Sequence, residues 1–455
     1  MNKWIAAAVG AGVALSVAFV VPPPEIVNAK SRSDTYRQLD QLMAVFEQIR
    51  SEYVEEVDDA EVIEAAINGM LSSLDPHSSY LNADRFRSMQ VQTSGEFSGL
   101  GLEVSMENGL VKVIAPIEGT PADRAGIKGG DLISEIDGQQ VLGMTLQDAI
   151  TLMRGPIKSS IDIKVIREGA EAPLPFTVVR DTITVRSVRS RAEGDVGYVR
   201  ISTFNKQTST GLYKAVEKLK KEIGDSMSGI VLDLRGNPGG LLDQAISVSD
   251  AFLERGEIVS TRSRDPRDIQ RYNARSGDIV DGLPVIVLIN AYSASASEIV
   301  AGALQDHRRG IILGDRSFGK GTVQTIIPIG SEAAMRLTTA RYYTPSGRSI
   351  QESGISPDIE VEQVQIAENS APRRVRREAD LPGHFVNENG DEDEPIPEAE
   401  PEADEKDTPA DDDGGTKGAR PIAQSGDEPQ DYQLNYALDL LKSIALYNER
   451  FAMSQ

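Results

Sequence analysis

Gly229-Ile230-Val231-Leu232-Asp233-Leu234-Arg235-Gly236-Asn237-Pro238-Gly239-Gly240 reads as a buried strand that stops at a turn, with Leu241 to Leu253 helical behind it. The apolar run Gly229 to Leu234, broken only by Asp233, marks a strand covered on both faces, as in parallel sheets. The pattern repeats outward in both directions. Val196 to Ile201 reads as a strand, and Leu212, Val216, Leu219 and Ile223 mark the stripe of a helix. Leu283 to Ile289 is a second buried-type strand, with Ala296 to Gln305 helical after it. Such alternation predicts a largely parallel α/β core with helices on its faces. Sites in cores of this kind lie where strands end and helices begin.

Upstream, from about Ser94 to Arg180, the texture changes to short β-rich runs broken by glycine: Gly99 to Val104, Leu110 to Ile114, Asp131 to Ile136 and Ile161 to Ile166, with one helical stretch at Thr145 to Met153. With Gly119-Thr120-Pro121-Ala122 and the turn Gly126 to Ile133, this segment resembles a PDZ domain. The resemblance implies a glycine-rich loop, Ser98 to Leu102, whose Leu100, Gly101 and Leu102 N–H groups receive a peptide carboxylate while the peptide adds a strand to the sheet edge. Before it, Leu39, Leu42, Met43, Phe46 and Ile49 recur at helical spacing, a stripe that packs within the chain or pairs subunits.

The 455 residues exceed one core and suggest two or three domains at about 150 residues each. Much of the net charge of -23 sits in one late stretch, Asp391 to Asp413, so the folded part is far less acidic and nucleic acid is only weakly disfavoured as a partner. The absence of cysteine removes a thiol nucleophile, disulfides and thiolate zinc sites together. At the N-terminus, Lys3, the apolar run Ile5 to Val21 and Val27-Asn28-Ala29 have the layout of a secretory signal peptide cut after Ala29, although the run also nears the short limit for a membrane anchor. Either way the body of the protein is expected outside the cytoplasm. From Ala371 the chain turns basic, then acidic, and is too poor in apolar residues to offset its chain entropy, which predicts disorder. Tyr432 to Tyr447 reads as a last helix, expected to pack on a subunit or partner.

Ser293-Ala294-Ser295-Ala296-Ser297-Glu298 follows the strand ending at Asn290 and opens a helix, where free N–H groups point at whatever a serine attacks. Helix capping by any of the three serines explains the stretch equally well. A serine nucleophile needs a base, and only His77, His307 and His384 exist. His307 lies twelve residues on, roughly 18 Å along a helix. His77 and His384 belong to other segments, the latter to the expected disordered tail. Lysine can serve if burial lowers its pKa from about 10.4 by several units. Lys320 is the candidate, flanked by Gly319 and Gly321 and preceded by Phe318, which helps exclude water. Gly314 to Lys320 also nearly spells a phosphate-binding loop, but Gly321 stands where Ser or Thr is required and a strand, not a helix, follows, so nucleotide hydrolysis is rejected.

The SASASE run, the Phe318 to Gln324 run FGKGTVQ, LDLRGNPGG and Tyr342 to Ile350 together resemble the carboxy-terminal processing, or tail-specific, proteases, from the N-terminal helices through about Val361. The resemblance implies a crotonase- and Clp-protease-like α/β protease core with an inserted β-rich PDZ domain and N- and C-terminal helices. It makes Ser295 the nucleophile, Lys320 the general base and Gln324 the residue that orients the lysine. It places the oxyanion donors at the Ala296 N–H and at Gly239, with Gly240 as the alternative, and gives Arg154 a role in relaying peptide docking. Neither metal nor cofactor is called for. The implied domains are a signal peptide or anchor at 1–29, a helical region at 30–93, the PDZ domain at 94–180, the protease core at 181–365, a charged disordered linker at 366–430 and a C-terminal helix at 431–455. Implied partners are protein substrates with free C-terminal tails, a helical-repeat lipoprotein adaptor and further copies of the chain, with membrane contact through the N-terminus and a periplasmic or envelope location. The rival reading is an inactive PDZ scaffold.

Overall fold

The computed structural model describes residues 29–363, 376–389 and 431–452. The apolar run Ile5 to Val21 lies outside them, and no helix among the described residues is long and apolar enough to cross a membrane. The chain divides into two units, Met1–Ile67 and Asn68–Gln455. The first contains the helix Ala29–Glu52 and the start of the helix Asp59–Ser72. Leu39, Leu42, Met43 and Ile49 stand exposed along the first of these helices.

The second unit is built around a six-stranded sheet in the order Val188–Glu193, Val196–Ile201, Gly229–Asp233, Val285–Ile289, Ile311–Gly314, Ile359–Glu360. The first pair is antiparallel and the remaining four are parallel. Ile230 and Leu232 face a core shared with the helices Thr208–Ile223, Leu242–Asp250 and Ala296–Asp306. Val231 faces the opposite way, into a cluster with Tyr198, Ile286 and Leu313 that Leu434, Ala437 and Leu441 close. Both faces of Gly229–Asp233 are therefore covered, which is why its sequence shows no alternation.

The residues closing that second face belong to the last helix, Tyr432–Ala452. Its expected role on a subunit or partner is corrected: the apolar side packs on the strands of its own chain. The helix start is fixed as well, because Nη1 and Nη2 of Arg235 each reach the carboxylate of Asp431 at 2.7 Å.

A second correction concerns the tail. Part of the stretch expected to be a disordered linker, residues 376–389, is folded against the core, with Glu378 fully buried in a short 3-10 turn, Glu378–Asp380. Glu388 accepts from the Tyr343 hydroxyl at 2.8 Å and pairs with Arg341, whose guanidinium lies over the Phe385 ring. Charge in this segment is matched by partners on the core, which composition alone does not reveal. The rest of 366–430 lies outside the described residues.

A five-stranded sheet flanks the core, with Ala333–Tyr343 pairing Ser79–Leu81, Glu257–Ser263 and Thr322–Ile329. The β-rich segment forms an antiparallel sheet of Leu102–Glu107, Leu110–Pro116, Leu132–Ile136, Ser160–Ile166 and Leu174–Val179. Its helix, Leu146–Met153, opens on a reciprocal Thr145–Asp148 capping box. The run from Gly99 to Val104 is not one strand. It breaks at Gly101 (φ 79°), between Leu102–Glu107 and Glu96–Gly99, and the latter pairs with Asp181–Thr184 where the chain re-enters the core.

Candidate active site

The strand Val285–Ile289 ends in a tight turn before the helix Ala296–Asp306, and the three serines of that turn have different fates. Ser293 is fully buried and donates its hydroxyl to Leu234 O at 2.9 Å. Ser297 is also fully buried and donates to Asn237 O at 3.0 Å. Both therefore stitch the turn to the stretch Leu234 to Gly240. Ser295 between them is half-buried and holds φ 52°, ψ −109°, a conformation that costs a non-glycine residue of order 1–3 kcal/mol and persists only where its surroundings impose it.

Glu298 does much of the imposing. Its side chain is wholly buried, and Oε2 accepts from the Ser295 N–H at 2.7 Å and the Lys320 N–H at 3.0 Å. The main-chain nitrogens of the two residues are thus no farther apart than the sum of those bonds. Oε1 accepts from the Gly319 N–H at 2.7 Å and the Ser317 hydroxyl at 2.6 Å. Burial pushes the Glu298 carboxyl up to about 7, against the pull of these four donors. Phe318 adds a bond from its N–H to Ser293 O at 3.0 Å. The loop stretch 317–320 is therefore laid directly against the serine turn.

Lys320 enters on the loop between Ile311–Gly314 and Thr322–Ile329. Burial lowers the pKa of its amine, and Arg336 acts in the same direction, while Glu378, Glu298 and Asp75 oppose them. The glycine beside it is dictated by space, since a Cβ on Gly321 would fall 2.2 Å from Gln351 N. Gln324 lies at a bulge, donates to the Thr338 hydroxyl at 2.9 Å and keeps a buried Oε1 without a hydrogen-bond partner among the described residues.

Opposite the serine runs the Arg235–Gly240 loop, held by Asn237. The Asn237 side chain donates to Ile201 O at 2.9 Å and accepts from the Gly239 N–H at 2.9 Å, while its carbonyl accepts from the Ala294 N–H at 3.0 Å. Gly239 (φ 104°) lies against the nucleophile turn, where an added Cβ would meet Ser295 Cβ at 2.9 Å and Ala296 N at 3.1 Å. Gly240 is turned instead toward Phe204, whose carbonyl an added Cβ would meet at 2.1 Å. The structure thus gathers Ser295, Ala296, Gly239 and the Lys320 backbone.

Leu100, Gly101, Leu102 and Arg154 form a separate site within the β-rich segment, a cavity of about 150 Å³ closed by Phe97, Val104, Ile150 and Met153. Ala122 N–H donates to Leu100 O and Ile117 N–H to Gly101 O, both at 2.9 Å, so the loop is held by its carbonyls. The Arg154 guanidinium lies 5.5 Å from the Phe97 ring centroid.

Sequence reasoning missed Glu298, Asn237 and Glu378. The first two stood inside quoted motifs, but an acid fully buried on main-chain donors has no sequence signature of its own.

Residues 195–361 match the model of peptidase family S41, residues 112–167 that of a PDZ domain and residues 23–85 that of the N-terminal domain of the activating protease CtpB. A carboxy-terminal-processing protease of Bartonella bacilliformis is 53% identical over 376 residues, covering 82% of this chain and 86% of the relative. The carboxy-terminal processing protease CtpA of Bacillus subtilis is 34% identical, covering 76% and 73%. Among solved structures, the photosystem II D1 C-terminal processing protease shares 31% identity at a TM-score of 0.42, covering 74% of this chain and 94% of that one. The S41 match falls on the α/β core and the PDZ match on the β-rich segment before it, and the chain belongs to the carboxy-terminal processing serine proteases of peptidase family S41.

Proposed function

We propose that the protein is an exported endopeptidase that cuts periplasmic or envelope proteins through an acyl-enzyme on Ser295, with Lys320 as general base. The observation that carries this reading is the shared grip of Glu298 on Ser295 and Lys320, next to a lysine whose amine is biased toward its neutral form. Ser295 Oγ attacks the scissile carbonyl carbon and its proton passes to Lys320 Nζ. The same proton goes on to the departing amine. Lys320 then takes a proton from the water that attacks the acyl carbonyl, and gives it to Ser295 Oγ as the ester C–O bond breaks, releasing the carboxylic acid and restoring the serine hydroxyl and the neutral amine.

The negative oxygen of each tetrahedral intermediate accepts from the Ala296 N–H, which has no partner among the described residues, and from a glycine of the facing loop. Gly239 is favoured by its place against Ala296, and its bond to Asn237 Oδ1 then has to yield. The unpaired Oε1 of Gln324 is the acceptor suited to hold the lysine. In the PDZ domain the N–H groups of Leu100, Gly101 and Leu102 take a substrate's terminal carboxylate, and the apolar cavity takes its last side chain. Arg154, on the wall of that cavity, relays occupancy toward the core. Export rests on the run Ile5 to Val21.

Cleavage of an unstructured substrate with an apolar C-terminus tests the reading. Ser295→Ala and Lys320→Ala should each abolish turnover while substrate still binds, and wild-type turnover in either variant rejects the pair.

A further inference from the structure

Glu378 reaches the lysine loop from beyond the protease core. Its carboxylate accepts from His77 Nε2 at 2.8 and 2.9 Å and from Gln351 Nε2 at 3.1 Å, and no part of the residue is exposed. Its main-chain N–H donates to Phe318 O at 3.2 Å. Gln351, through Oε1, accepts from the Gly321 N–H at 3.0 Å. Lys320 thus stands between two main-chain hydrogen bonds, at Phe318 and at Gly321, and both lead back to Glu378. His77 is itself fixed, since its N–H donates to Asp75 Oδ1 at 2.8 Å and its carbonyl accepts from Arg336 Nε at 3.0 Å.

A buried carboxylate is a costly way to pin a tail to a core. The segment already has cheaper attachments, through Phe385 under Arg341 and through the Asn387 N–H, which donates to Glu352 Oε2 at 3.0 Å. We propose that Glu378 is a positioning residue for Lys320: the segment 376–389 completes the active site by holding the lysine loop on both sides of Lys320 through the Glu378 main chain and side chain. This rests on the reading of Ser295 and Lys320 given above. The charges facing Lys320 are Arg336 from the strand Ala333–Tyr343, Glu298 from the nucleophile helix, Asp75 from the loop before Ser79–Leu81, and Glu378. Those nearest Glu378 are His77, Lys320 and, in its own turn, Arg377 and Asp380.

The sign of the effect follows. A carboxylate near the amine favours the protonated lysine, so neutralising it lets the free base appear at lower pH. Full-length wild type, Glu378→Gln and Glu378→Ala are compared by kcat and KM across pH on a peptide with an apolar C-terminus. In parallel, the 13Cε resonance of Lys320 is titrated in the Ser295→Ala protein with and without Glu378→Gln. Glu378→Gln should move both the acidic limb of kcat and the lysine midpoint down by about half a pH unit or more. Glu378→Ala should lose about tenfold in kcat with KM little changed. If Glu378→Ala does not fold, the near-isosteric Gln variant still decides the matter. A Gln variant with an unmoved limb and an unmoved resonance overturns the proposal, including one that merely melts at a lower temperature. Turnover surviving in Lys320→Ala defeats the underlying dyad instead, and the resonance shift, read without turnover, separates the two failures.

Discussion

The two functional regions of this molecule are built by opposite means. Around Ser295 and Lys320 a dense buried network fixes the backbone: Glu298 has four donors, Asn237 binds on three sides, and two of the three serines are spent on stitching. Around Leu100 to Leu102 the loop is held mainly by its carbonyls, and the rest of the site is apolar wall with one arginine over a phenyl ring. Chemistry tolerates little error in placement, because a reacting group displaced by about 1 Å can lose of order 100-fold in rate. Reading a chain end requires mainly a free backbone edge and a pocket, which accept small adjustments. The first region should therefore break sharply when mutated and the second should weaken gradually.

The broadest effect, on rate and stability together, is expected at Glu298. Glu298→Ala removes the acceptor for four donors at once and frees the serine turn from the lysine loop. A fall in kcat of about 100-fold or more is predicted, with a lower melting temperature, since each stranded buried donor costs about 1–3 kcal/mol. Retention of wild-type kcat by a folded Glu298→Ala protein would refute the view that this carboxylate sets the geometry.

One substitution made twice gives the sharpest contrast. Gly239→Ala puts a methyl at φ 104°, 2.9 Å from Ser295 Cβ and 3.1 Å from the N–H expected to receive the oxyanion. Gly101→Ala puts one at φ 79°, 2.3 Å from Thr120 Cβ in the PDZ loop. The first should cost about 10²–10³ in kcat, as loss of an oxyanion donor does. The second should raise KM for a substrate with an apolar free C-terminus while sparing kcat, and should leave a substrate with a blocked tail unaffected. Similar kinetic signatures for both variants would erase the division of labour between the sites.

A medium effect separates the regions by pH. Glu298 is raised from 4.5 to about 7 by burial, so between those values the folded state holds a proton that the unfolded state has released. Its contribution to stability is present below about 4.5 and is lost as pH rises through about 7. Glu298→Gln cannot titrate. Relative to it, wild type should lose melting temperature as pH climbs from 4.5 to 7. Parallel melting curves for the two proteins across that range would contradict the buried, proton-holding carboxylate. The lowered pKa of Lys320 acts in a different window: stability rises with pH from the depressed folded value up to 10.5.

The legibility of the sequence follows the same division. The doubly covered strands were plain in it, because a strand such as Gly229–Asp233 is apolar on both faces up to its terminal Asp233 when helices lie on both sides. Glycine loops and the serine, lysine and glutamine types carried the resemblance. What remained hidden were polar residues whose meaning depends on distant partners. Glu378 looks like one more charge beside Arg376 and Arg377, until His77, 301 positions earlier, is found beside it. Composition counts charges but not their pairings, which is why residues 376–389 read as disordered, and the last helix read as a docking surface for another chain because it stands beyond that stretch.

The smallest effect is reserved for Arg154, and it is the most discriminating of all. Its guanidinium has one visible interaction among the described residues, with the Phe97 ring at 5.5 Å, worth about 0.5–1 kcal/mol at an exposed site. If it is only a wall of the cavity, Arg154→Ala should weaken binding of an apolar tail by a few-fold and leave kcat alone. If it relays docking, kcat should fall for tailed substrates while substrates with blocked tails are cut as before. Phe97→Leu supplies the control, because it removes the ring and keeps the guanidinium: a wall effect follows the ring, whereas a relay follows the arginine.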